Sequence, residues 1–306
     1  MSVFNGERYV GGAIESILKQ THRDFEFIVI DDGSKDRTLE ILRSFSDPRL
    51  FIHVQKNEGL TKSLNKAIAM ARGEYLARQD ADDFSCPDRL EKQVRYLDAN
   101  LEIGLLGAHV TFIDEEGHEF YVWKMPTEHS EIRMTMIEDS NSFCHGAVLF
   151  RKECVATVGY YREAFQYTQD YDLWLRISDR YRVANLPEVL YRFRRSSGTI
   201  SRKKLSRQID YHILAIELAK ERQRNGVDSL NRLGNGVDVR TILNKTFGLS
   251  SSDLRKYKSR FFIQNSSESF RTGDYFDALK FWANAFISEP GRSKVSFLIG
   301  EFRKRL

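Results

Sequence analysis

The sequence predicts an α/β fold, because strands and helices alternate along the first half of its 306 residues. Two apolar runs, residues 25–30 (FEFIVI) and 50–54, have the character of strands buried on both faces. A helical pattern follows each run, as in the apolar face formed by Leu60, Leu64 and Ile68. Alternation of this kind favours a doubly wound, mostly parallel sheet with right-handed crossovers.

The other elements are predicted from the same periodicities and from turn residues. Strands are expected at 1–4, 74–77, 103–113, 118–123, 147–150, 183–186 and 189–193, and helices at 10–18, 39–45, 87–97, 128–138, 152–158 and from 170 onward.

The length favours two domains, which we place at residues 1–205 and 206–306. The second is predicted to be helical, with a helix at 208–224 and looser packing at 225–250. Residues near 255–290 are spaced like one helix pair of a tetratricopeptide repeat. One such unit cannot bury its apolar face alone, so we expect it to pack on a neighbouring helix, the first domain or a protein partner.

Charge and cysteine content narrow the choice of ligand, partner and cellular location. The net charge is +4, and seven basic residues without an acid fall within 192–207, which suits an anionic ligand or a peripheral membrane contact. Only Phe193 is interleaved as an aromatic, so no nucleic-acid partner is expected. Three cysteines without paired spacing, and no apolar run long enough for a membrane span, predict a cytoplasmic location, if membrane-associated then at the inner face of the plasma membrane.

Two acidic groups follow predicted strands. Asp31 and Asp32 end the second strand, and Asp80, Asp82 and Asp83 lie directly behind the fourth. Ligands of such sheets bind beyond the carboxyl ends of the strands, so both groups should face one crevice. Clustered carboxylates can hold a divalent cation such as Mg²⁺, although a helix-capping turn or a solvated loop would also use these residues.

A third acidic pair, Asp170 and Asp172, begins a predicted helix after an aromatic and polar loop. An acid at such a position can take a proton from a hydroxyl nucleophile or can cap the helix. The residues alone leave both readings open.

Several segments in order resemble the family 2 glycosyltransferases, which have the GT-A fold. They are NGERYV, SILKQTHRDFEFIVIDDGSKDRT, NEGLTKSLNKAIAMARGEYLARQDADD and QDYDLWLR, and the resemblance covers about residues 1–205. It implies a nucleotide-sugar donor whose base is read by Asp32, with Asp31 contributing, and whose base and ribose are lined by Ser2 and Phe4.

The same resemblance places the DXD element of the family at residues 80–82. It implies that Asp82 and Asp83 hold Mg²⁺ or Mn²⁺, with Asp80 on the ribose side of the donor. Arg192 and Arg194, in a segment like the one that closes these catalytic domains, would contact the diphosphate, since guanidinium groups pair well with oxyanions.

Asp170 matches the general base of the family, in a Gln169-Asp170 pair where the family has Glu-Asp. Direct displacement by a base-activated hydroxyl would invert the anomeric configuration. His145 and Tyr167 are expected on the acceptor side, His145 being equally compatible with a buried structural histidine.

These expectations combine into a metal-dependent, inverting hexosyltransferase. It would move a sugar from a nucleotide-diphosphate donor, UDP-linked for preference, to a saccharide or lipid-linked acceptor during polysaccharide or cell-envelope glycan synthesis. One alternative is a catalytically impaired nucleotide-sugar-binding scaffold; a nucleotidyltransferase is a weaker one, because a glycine-rich phosphate loop is lacking before the first helix. Only MSVF represents the first strand, so the resemblance implies a truncated strand, through a late start codon or a fragment.

Overall fold

A computed structural model describes residues 1–138, 141–195, 205–230, 238–271 and 275–288. The chain divides into two compact units, Met1–Thr199 and Ile200–Leu306. The first unit carries the predicted alternation of strands and helices. Its elements are β1 (Ser2–Val3), α1 (Val10–Leu18), β2 (Phe27–Asp31), α2 (Thr38–Ser44), β3 (Leu50–Val54), α3 (Leu60–Met70), β4 (Tyr75–Ala77), β5 (Phe84–Ser85), α4 (Arg89–Ala99), β6 (Ile103–Ile113), β7 (Glu119–Trp123), α5 (His129–Ile137), a 3₁₀ turn (His145–Ala147), β8 (Leu149–Arg151), α6 (Lys152–Val158), α7 (Gln169–Ser178) and β9 (Arg182–Arg194).

The strands form two sheets in the described residues. The first is parallel, in the order β1-β2-β3. The second has the order β4-β8-β6-β9-β5, with β7 added to β6, and its β6–β9 pair is parallel while its other pairs are antiparallel. The α/β fold class predicted from the sequence is confirmed.

Burial explains why β2 lies inside the sheet. All five of its residues are buried, and Phe27 and Val29 pack in one cluster with Val10 and Ile14 of α1. Each such side chain contributes about 1.5–3 kcal/mol when it leaves water. The strand therefore fixes the position of Asp31, which is its last residue.

Two features of the second sheet differ from the prediction. Residues 182–194 form one strand, where the sequence predicted two, and the short strand β5 was not predicted. The pairing of β9 with β6 shifts register around Ala108 and His109. An irregularity of this kind accommodates Pro187 within the strand, because Pro187 and Glu188 are left out of the pairing with β6.

The second unit is helical where it is described. Its helices are α8 (Leu205–Asn225), α9 (Val239–Lys245), α10 (Ser251–Arg271) and α11 (Tyr275–Ser288). The rings of Phe262 and Phe281 stack between α10 and α11 with centroids 6.5 Å apart. The tetratricopeptide-like character of this pair remains a prediction.

Part of the looser region expected at 225–250 is helical. Asp238 caps α9 by accepting a hydrogen bond from the N–H of Thr241 at 3.1 Å. Residues 231–237, and residues 196–204 of the basic run, lie outside the described residues. Among the helices that are described, none has the length and apolar character needed to cross a bilayer.

Candidate active site

The loop between β4 and β5 carries the central acids of the site. Hydrogen bonds of nearby side chains hold this acidic loop in place. The buried Arg78 donates from Nη2 to Oδ1 of Asp80 at 2.5 Å. The hydroxyl of Tyr191, on β9, accepts a hydrogen bond from the N–H of Asp80 at 3.1 Å. A second buried arginine, Arg89, donates to the carbonyl oxygens of Arg78 and Gly146 at 2.9 and 2.6 Å. The start of the acidic loop is thus fixed by its own Arg78 and by side chains of β9 and α4.

The three acids of this loop have different environments. Burial works against the charge of Asp80, but Arg78 and then His145 hold the pKa of Asp80 below its ordinary value. Burial and the charge of Asp80 raise the pKa of Asp82 to about 6. Burial, with Asp82 and Asp80, raises the pKa of Asp83 well above its ordinary value. The loop therefore holds three carboxyl groups against one arginine, and burial and mutual repulsion disfavour charging all three.

This imbalance suits a divalent cation that is shared with a substrate. Among the described residues, no three His, Cys, Asp or Glu side chains form a closed metal-binding group. Mg²⁺, however, is commonly bound by one or two carboxylates together with waters and substrate phosphates. Asp82 is only partly buried, so its carboxyl group can be reached by such a ligand. The residues present fit a cation that arrives with a phosphorylated ligand.

Arg194 fastens the far end of the acidic loop. Its backbone N–H donates to Oδ1 of the buried Asp83 at 2.7 Å, and its Nε donates to the carbonyl oxygen of Asp82 at 2.9 Å. Nη1 donates to the carbonyl oxygens of Asp114 and Glu115 at 2.7 and 2.8 Å. The guanidinium also lies 4.3 Å from the ring centroid of Tyr9. These contacts give Arg194 a structural role beside the phosphate contact that the sequence suggested.

Arg192 occupies a different environment on the same strand. Its side chain is half exposed and forms an ion pair with Glu119 of β7 at 2.9 Å. An exposed ion pair is worth only about 0–1 kcal/mol, so a phosphate could replace Glu119 at little cost. The diphosphate role of Arg192 stays a prediction.

Asp32 holds the loop that leads from β3 into α3. Its Oδ1 accepts hydrogen bonds from Nε2 of Gln55 and the N–H of Glu58 at 2.7 and 2.8 Å. Its Oδ2 accepts from the N–H of Gly59 at 2.9 Å. Gly59 has φ +90°, a conformation that favours glycine. The carboxylate is therefore fixed at the carboxyl end of the first sheet.

The other residues expected at the nucleotide lie beside Asp32. Asp31 is buried, and its Oδ1 accepts a hydrogen bond from the N–H of Ser34 at 3.0 Å. Ser2 is buried in β1, next to β2, whereas Phe4 is 48 % exposed. An exposed ring at the carboxyl end of a parallel sheet is available to a planar ligand. The structure keeps these three residues at one edge of the sheet.

The two acids of helix α7 differ in burial and in their contacts. Asp172 is fully buried, and its Oδ2 lies 2.8 Å from Nη2 of Arg176. Asp170 is only partly buried and lies in the first turn, after Thr168, which has φ +55°. A buried carboxylate committed to an arginine is poorly placed to exchange protons with a ligand. Of the two, Asp170 is the acid open to a substrate.

A histidine and a tyrosine are both influenced by the charges of Asp170 and the acidic loop. Nε2 of His145 is 3.0 Å from the hydroxyl of Tyr161, and both rings pack against Trp174. Burial and the charge of Arg78 lower the pKa of His145, while the charges of Asp170 and Asp80 oppose this shift. His145 is thus neutral near pH 7 and is acted on by both acids.

The loop before α7 is tied to its neighbours through its backbone. Arg176 donates to the carbonyl oxygens of Val158 and Tyr160 at 2.8 and 2.9 Å, and also to that of Gly159. Asn65 of α3 donates to the carbonyl oxygen of Tyr161 at 2.8 Å and accepts from its N–H at 3.1 Å. These bonds set the path of the chain toward Asp170.

Tyr167, the other residue expected on the acceptor side, is partly buried near the end of this loop. The supporting residues of the site could not be predicted from the sequence. Arg78, Tyr191 and Arg176 act through contacts that carry no local motif. The one available signal was Arg78, a charged residue between an apolar strand and the acids.

Acidic residues at the ends of these strands, in this α/β arrangement, are typical of the GT-A class of fold. The family model described as "Glycosyl transferase family 2" matches residues 1–159. The chain belongs to this family.

Two curated relatives have similar sequences. The "Putative glycosyltransferase EpsE" of Bacillus subtilis is 34 % identical over 227 residues, which is 72 % of this chain and 80 % of the relative. The "Amylovoran biosynthesis glycosyltransferase AmsE" of Erwinia amylovora is 33 % identical over 210 residues, 67 % of this chain and 78 % of the relative.

Two solved structures share the fold. S. aureus TarS 1-349 in complex with UDP-GlcNAc has a TM-score of 0.58 at 16 % identity, over 94 % of this chain and 89 % of that chain. The mannosyltransferase PcManGT from Pyrobaculum calidifontis, in complex with GDP-Man and Mn²⁺, has a TM-score of 0.54 at 17 % identity, over 98 % and 77 % of the two chains.

Proposed function

We propose that the protein is a metal-dependent, inverting hexosyltransferase that uses a nucleotide-diphosphate sugar. The observation that carries this proposal is the His145–Tyr161 pair, which is acted on by the charges of both Asp80 and Asp170. The candidate base and the acidic loop therefore act on the same two side chains. Such an arrangement can hold a donor on one side and an acceptor hydroxyl on the other.

On the donor side, Asp32 and Asp31 would read the base, with Ser2 and Phe4 lining base and ribose. Asp80 would lie at the ribose, and Arg192, then Arg194, would contact the diphosphate. A UDP-linked sugar is favoured because TarS, which shares the fold, was solved with UDP-GlcNAc.

Mg²⁺ or Mn²⁺ would be held by Asp82 first and by Asp83 second. Asp82 ranks first because Oδ1 of Asp83 is already committed to the N–H of Arg194. When bound, the ion would neutralise the charge that builds up on the departing diphosphate. PcManGT, whose structure contains Mn²⁺, offers an analogy for such a site.

Asp170 would act as the general base. Its carboxylate would take the proton of the acceptor hydroxyl while that oxygen bonds to the anomeric carbon and the bond to the diphosphate breaks. Because attack and departure occur on opposite faces, the configuration at that carbon inverts. Asp172, held by Arg176, would keep α7 in position and take no part in the proton transfer.

On the acceptor side we place His145 and Tyr167, with a saccharide or lipid-linked acceptor in polysaccharide or cell-envelope glycan synthesis. The name of the relative AmsE, which refers to amylovoran biosynthesis, supports this setting. The proposal includes a cytoplasmic location. The protein would contact the inner face of the plasma membrane peripherally, or its helical unit would bind a protein partner.

The variant Asp170→Asn tests the proposal directly. We expect it to lose at least about 100-fold in the rate of sugar release from UDP-GlcNAc, UDP-glucose or UDP-galactose, because general bases contribute about 10²–10⁴. Its thermal shift with UDP and Mn²⁺ should match that of the wild type. Glu163→Gln, the same charge change on an exposed position of the preceding loop, is the control.

Turnover by Asp170→Asn at the wild-type rate would contradict the assignment of the base. A wild-type protein that binds UDP with Mn²⁺ but releases no sugar from any of these donors, nor from GDP-mannose, would favour the scaffold alternative. The scaffold alternative is supported by one observation, the neutral Gln169 beside Asp170.

A further inference from the structure

The hydroxyl of Tyr161 is held in a fixed position beside His145. Asn65 of α3 accepts a hydrogen bond from the N–H of Tyr161 at 3.1 Å and donates one to its carbonyl oxygen at 2.8 Å. The ring of Tyr161 packs edge-on against Trp174, with the ring centroids 6.4 Å apart, and the residue is 3 % exposed. Backbone and ring together therefore fix the hydroxyl 3.0 Å from Nε2 of His145.

This hydrogen bond determines which nitrogen of His145 carries the proton. Burial raises the pKa of Tyr161 well above its ordinary value, so the hydroxyl keeps a proton to donate. Among the described residues, Nε2 of His145 is the one hydrogen-bond partner of this hydroxyl. If Nε2 carried the proton and donated it, the buried hydroxyl proton would have no acceptor, and an unpaired buried donor is costly. The hydroxyl is therefore the donor and Nε2 the acceptor.

The other ring nitrogen of His145 is left as an open donor. A neutral imidazole has one N–H, which lies on Nδ1 when Nε2 accepts. Within the described part of the chain, Nδ1 has no hydrogen-bond partner and is not enclosed. Asp170, the candidate base, is near enough for its charge to act on the same ring. An accessible N–H donor is thus paired with a carboxylate acceptor at the acceptor side of the site.

We propose that the Nδ1–H of His145 donates a hydrogen bond to the hydroxyl oxygen that attacks the sugar, and that Tyr161 is the positioning residue that keeps the proton on Nδ1. This inference rests on the proposed function and adds a second contact to the one that Asp170 makes. The attacking hydroxyl donates to Asp170 and accepts from His145, so its orientation is fixed and a lone pair remains for the anomeric carbon.

The proton of His145 is not transferred in this arrangement. The hydroxyl proton passes to Asp170, the hydroxyl oxygen bonds to the anomeric carbon, and the diphosphate leaves with the electron pair of the broken bond. Water can take the place of the acceptor hydroxyl, because it offers the same oxygen and the same proton. Release of sugar from UDP-GlcNAc therefore reports on the contact although the acceptor is not identified.

Nitrogen NMR of the ligand-free protein with ¹⁵N-labelled histidine tests the tautomer. At about pH 8, where the ring is neutral, we expect the proton of His145 on Nδ1 in the wild type. In Tyr161→Phe the two nitrogens should share the proton, as they do in solvent. The signals of His145 are those that His145→Asn removes. A proton on Nε2 in the wild-type protein would overturn the proposal, whether or not Tyr161→Phe is stable enough to measure.

Two substitutions of His145 separate the roles of its ring nitrogens. The side-chain amide of asparagine reaches the place of Nδ1, whereas that of glutamine reaches the place of Nε2. We expect His145→Asn to release sugar from UDP-GlcNAc about tenfold faster than His145→Gln, because only the former keeps a donor for the attacking oxygen. Equal rates for the two variants would contradict the role of Nδ1.

The variant Tyr161→Phe tests the positioning role. We expect it to lower kcat for sugar release by about tenfold and to leave the KM for UDP-GlcNAc unchanged, because the hydroxyl acts on the nucleophile and not on the donor. In the His145→Asn background the same change should have no further effect, since Nε2 is absent there. Tyr75→Phe, which removes a hydroxyl bonded to Asp98, is the control.

An equal loss from Tyr161→Phe in both backgrounds would overturn the proposal, because the hydroxyl would then act without His145. A wild-type protein that releases no sugar from any nucleotide sugar would contradict the proposed function and, with it, the contact to the nucleophile. The NMR measurement needs neither ligand nor turnover, so failure of the tautomer assignment is separable from failure of the proposed function.

Discussion

The hydroxyl of Tyr191 accepts a hydrogen bond from the N–H of Asp80 at 3.1 Å, although 111 residues separate them in the chain. The same hydroxyl leaves no room at Gly146, where an added Cβ would lie 2.0 Å from it. Oδ2 of Asp80 would lie 2.9 Å from that Cβ. The position of the acidic loop thus depends on a contact among β9, the 3₁₀ turn and the loop itself.

Removing this hydroxyl should loosen the acidic loop. We expect Tyr191→Phe to raise the Mn²⁺ concentration needed for half-maximal activity by about 3–10-fold, since a hydrogen bond of this kind contributes about 0.5–1.5 kcal/mol. Tyr75→Phe removes a tyrosine hydroxyl bonded to Asp98 at 2.6 Å, away from the loop, and is the matched control. An unchanged Mn²⁺ requirement in Tyr191→Phe would refute this role of the hydroxyl.

Adding a side chain at position 146 should destabilise the folded protein. We expect Gly146→Ala to lower the free energy of unfolding by about 1–3 kcal/mol, because the added methyl group overpacks the contact with Tyr191. Gly11→Ala is the comparison, since its Cβ would meet only Ile41, at an ordinary 3.6 Å, within α1. That change should stabilise the helix by about 0.5–1 kcal/mol. Denaturant unfolding measures both, and a neutral Gly146→Ala would contradict the packing argument.

Substitutions of the two acids of α7 should differ in their effect on the free energy of unfolding. Asp172→Asn leaves the buried Arg176 without its counter-charge, and we expect it to cost about 3–5 kcal/mol. Asp170→Asn should change the unfolding free energy by less than about 1 kcal/mol, because Asp170 is partly exposed and lies outside that ion pair. Chemical denaturation of both variants provides the measurement. A reversed order would mean that Asp170 is the structural acid.

In a protein prepared to begin at Met1, the amino group of that residue should make stability depend on pH. Its pKa is about 4 in the folded protein and 8.0 when unperturbed, so between these values the unfolded chain binds a proton that the folded chain does not. Stability should therefore rise as the pH increases from 4 to 8, with Arg78 and Asp80 as the charged groups acting on the amine. Chemical acetylation of the N-terminus should remove this component. Parallel pH profiles for both forms would contradict it.

Periodicity in the sequence predicted the elements that depend on local pattern. Strand 50–54, strand 103–113 and helix 152–158 have the predicted bounds, because their apolar residues repeat with the period of the element. The joining of 183–186 and 189–193 into β9 could not be read from the sequence, because Pro187 normally interrupts a strand. Its accommodation depends on a register shift against β6, which is a tertiary feature.

The acidic residues of the site could be predicted from the sequence, but the residues that hold them in position could not. Asp32, Asp80 and Asp170 follow strand ends or begin a helix, and such positions are visible in the sequence. The choice between Asp170 and Asp172 depends on Arg176, whose ion pair is a matter of packing. The contact of Tyr191 with Asp80 likewise has no sequence signature, because it joins distant segments.

Calorimetric titration with UDP, with and without Mn²⁺, tests the central claim most directly. If the acidic loop holds a cation shared with the diphosphate, Mn²⁺ should strengthen UDP binding by about tenfold or more, equivalent to about 1.4 kcal/mol, in the wild type. In Asp82→Asn most of that gain should be lost, while binding without metal is unchanged. Equal UDP affinity with and without Mn²⁺ in the wild type, or a full metal effect in Asp82→Asn, would contradict the account.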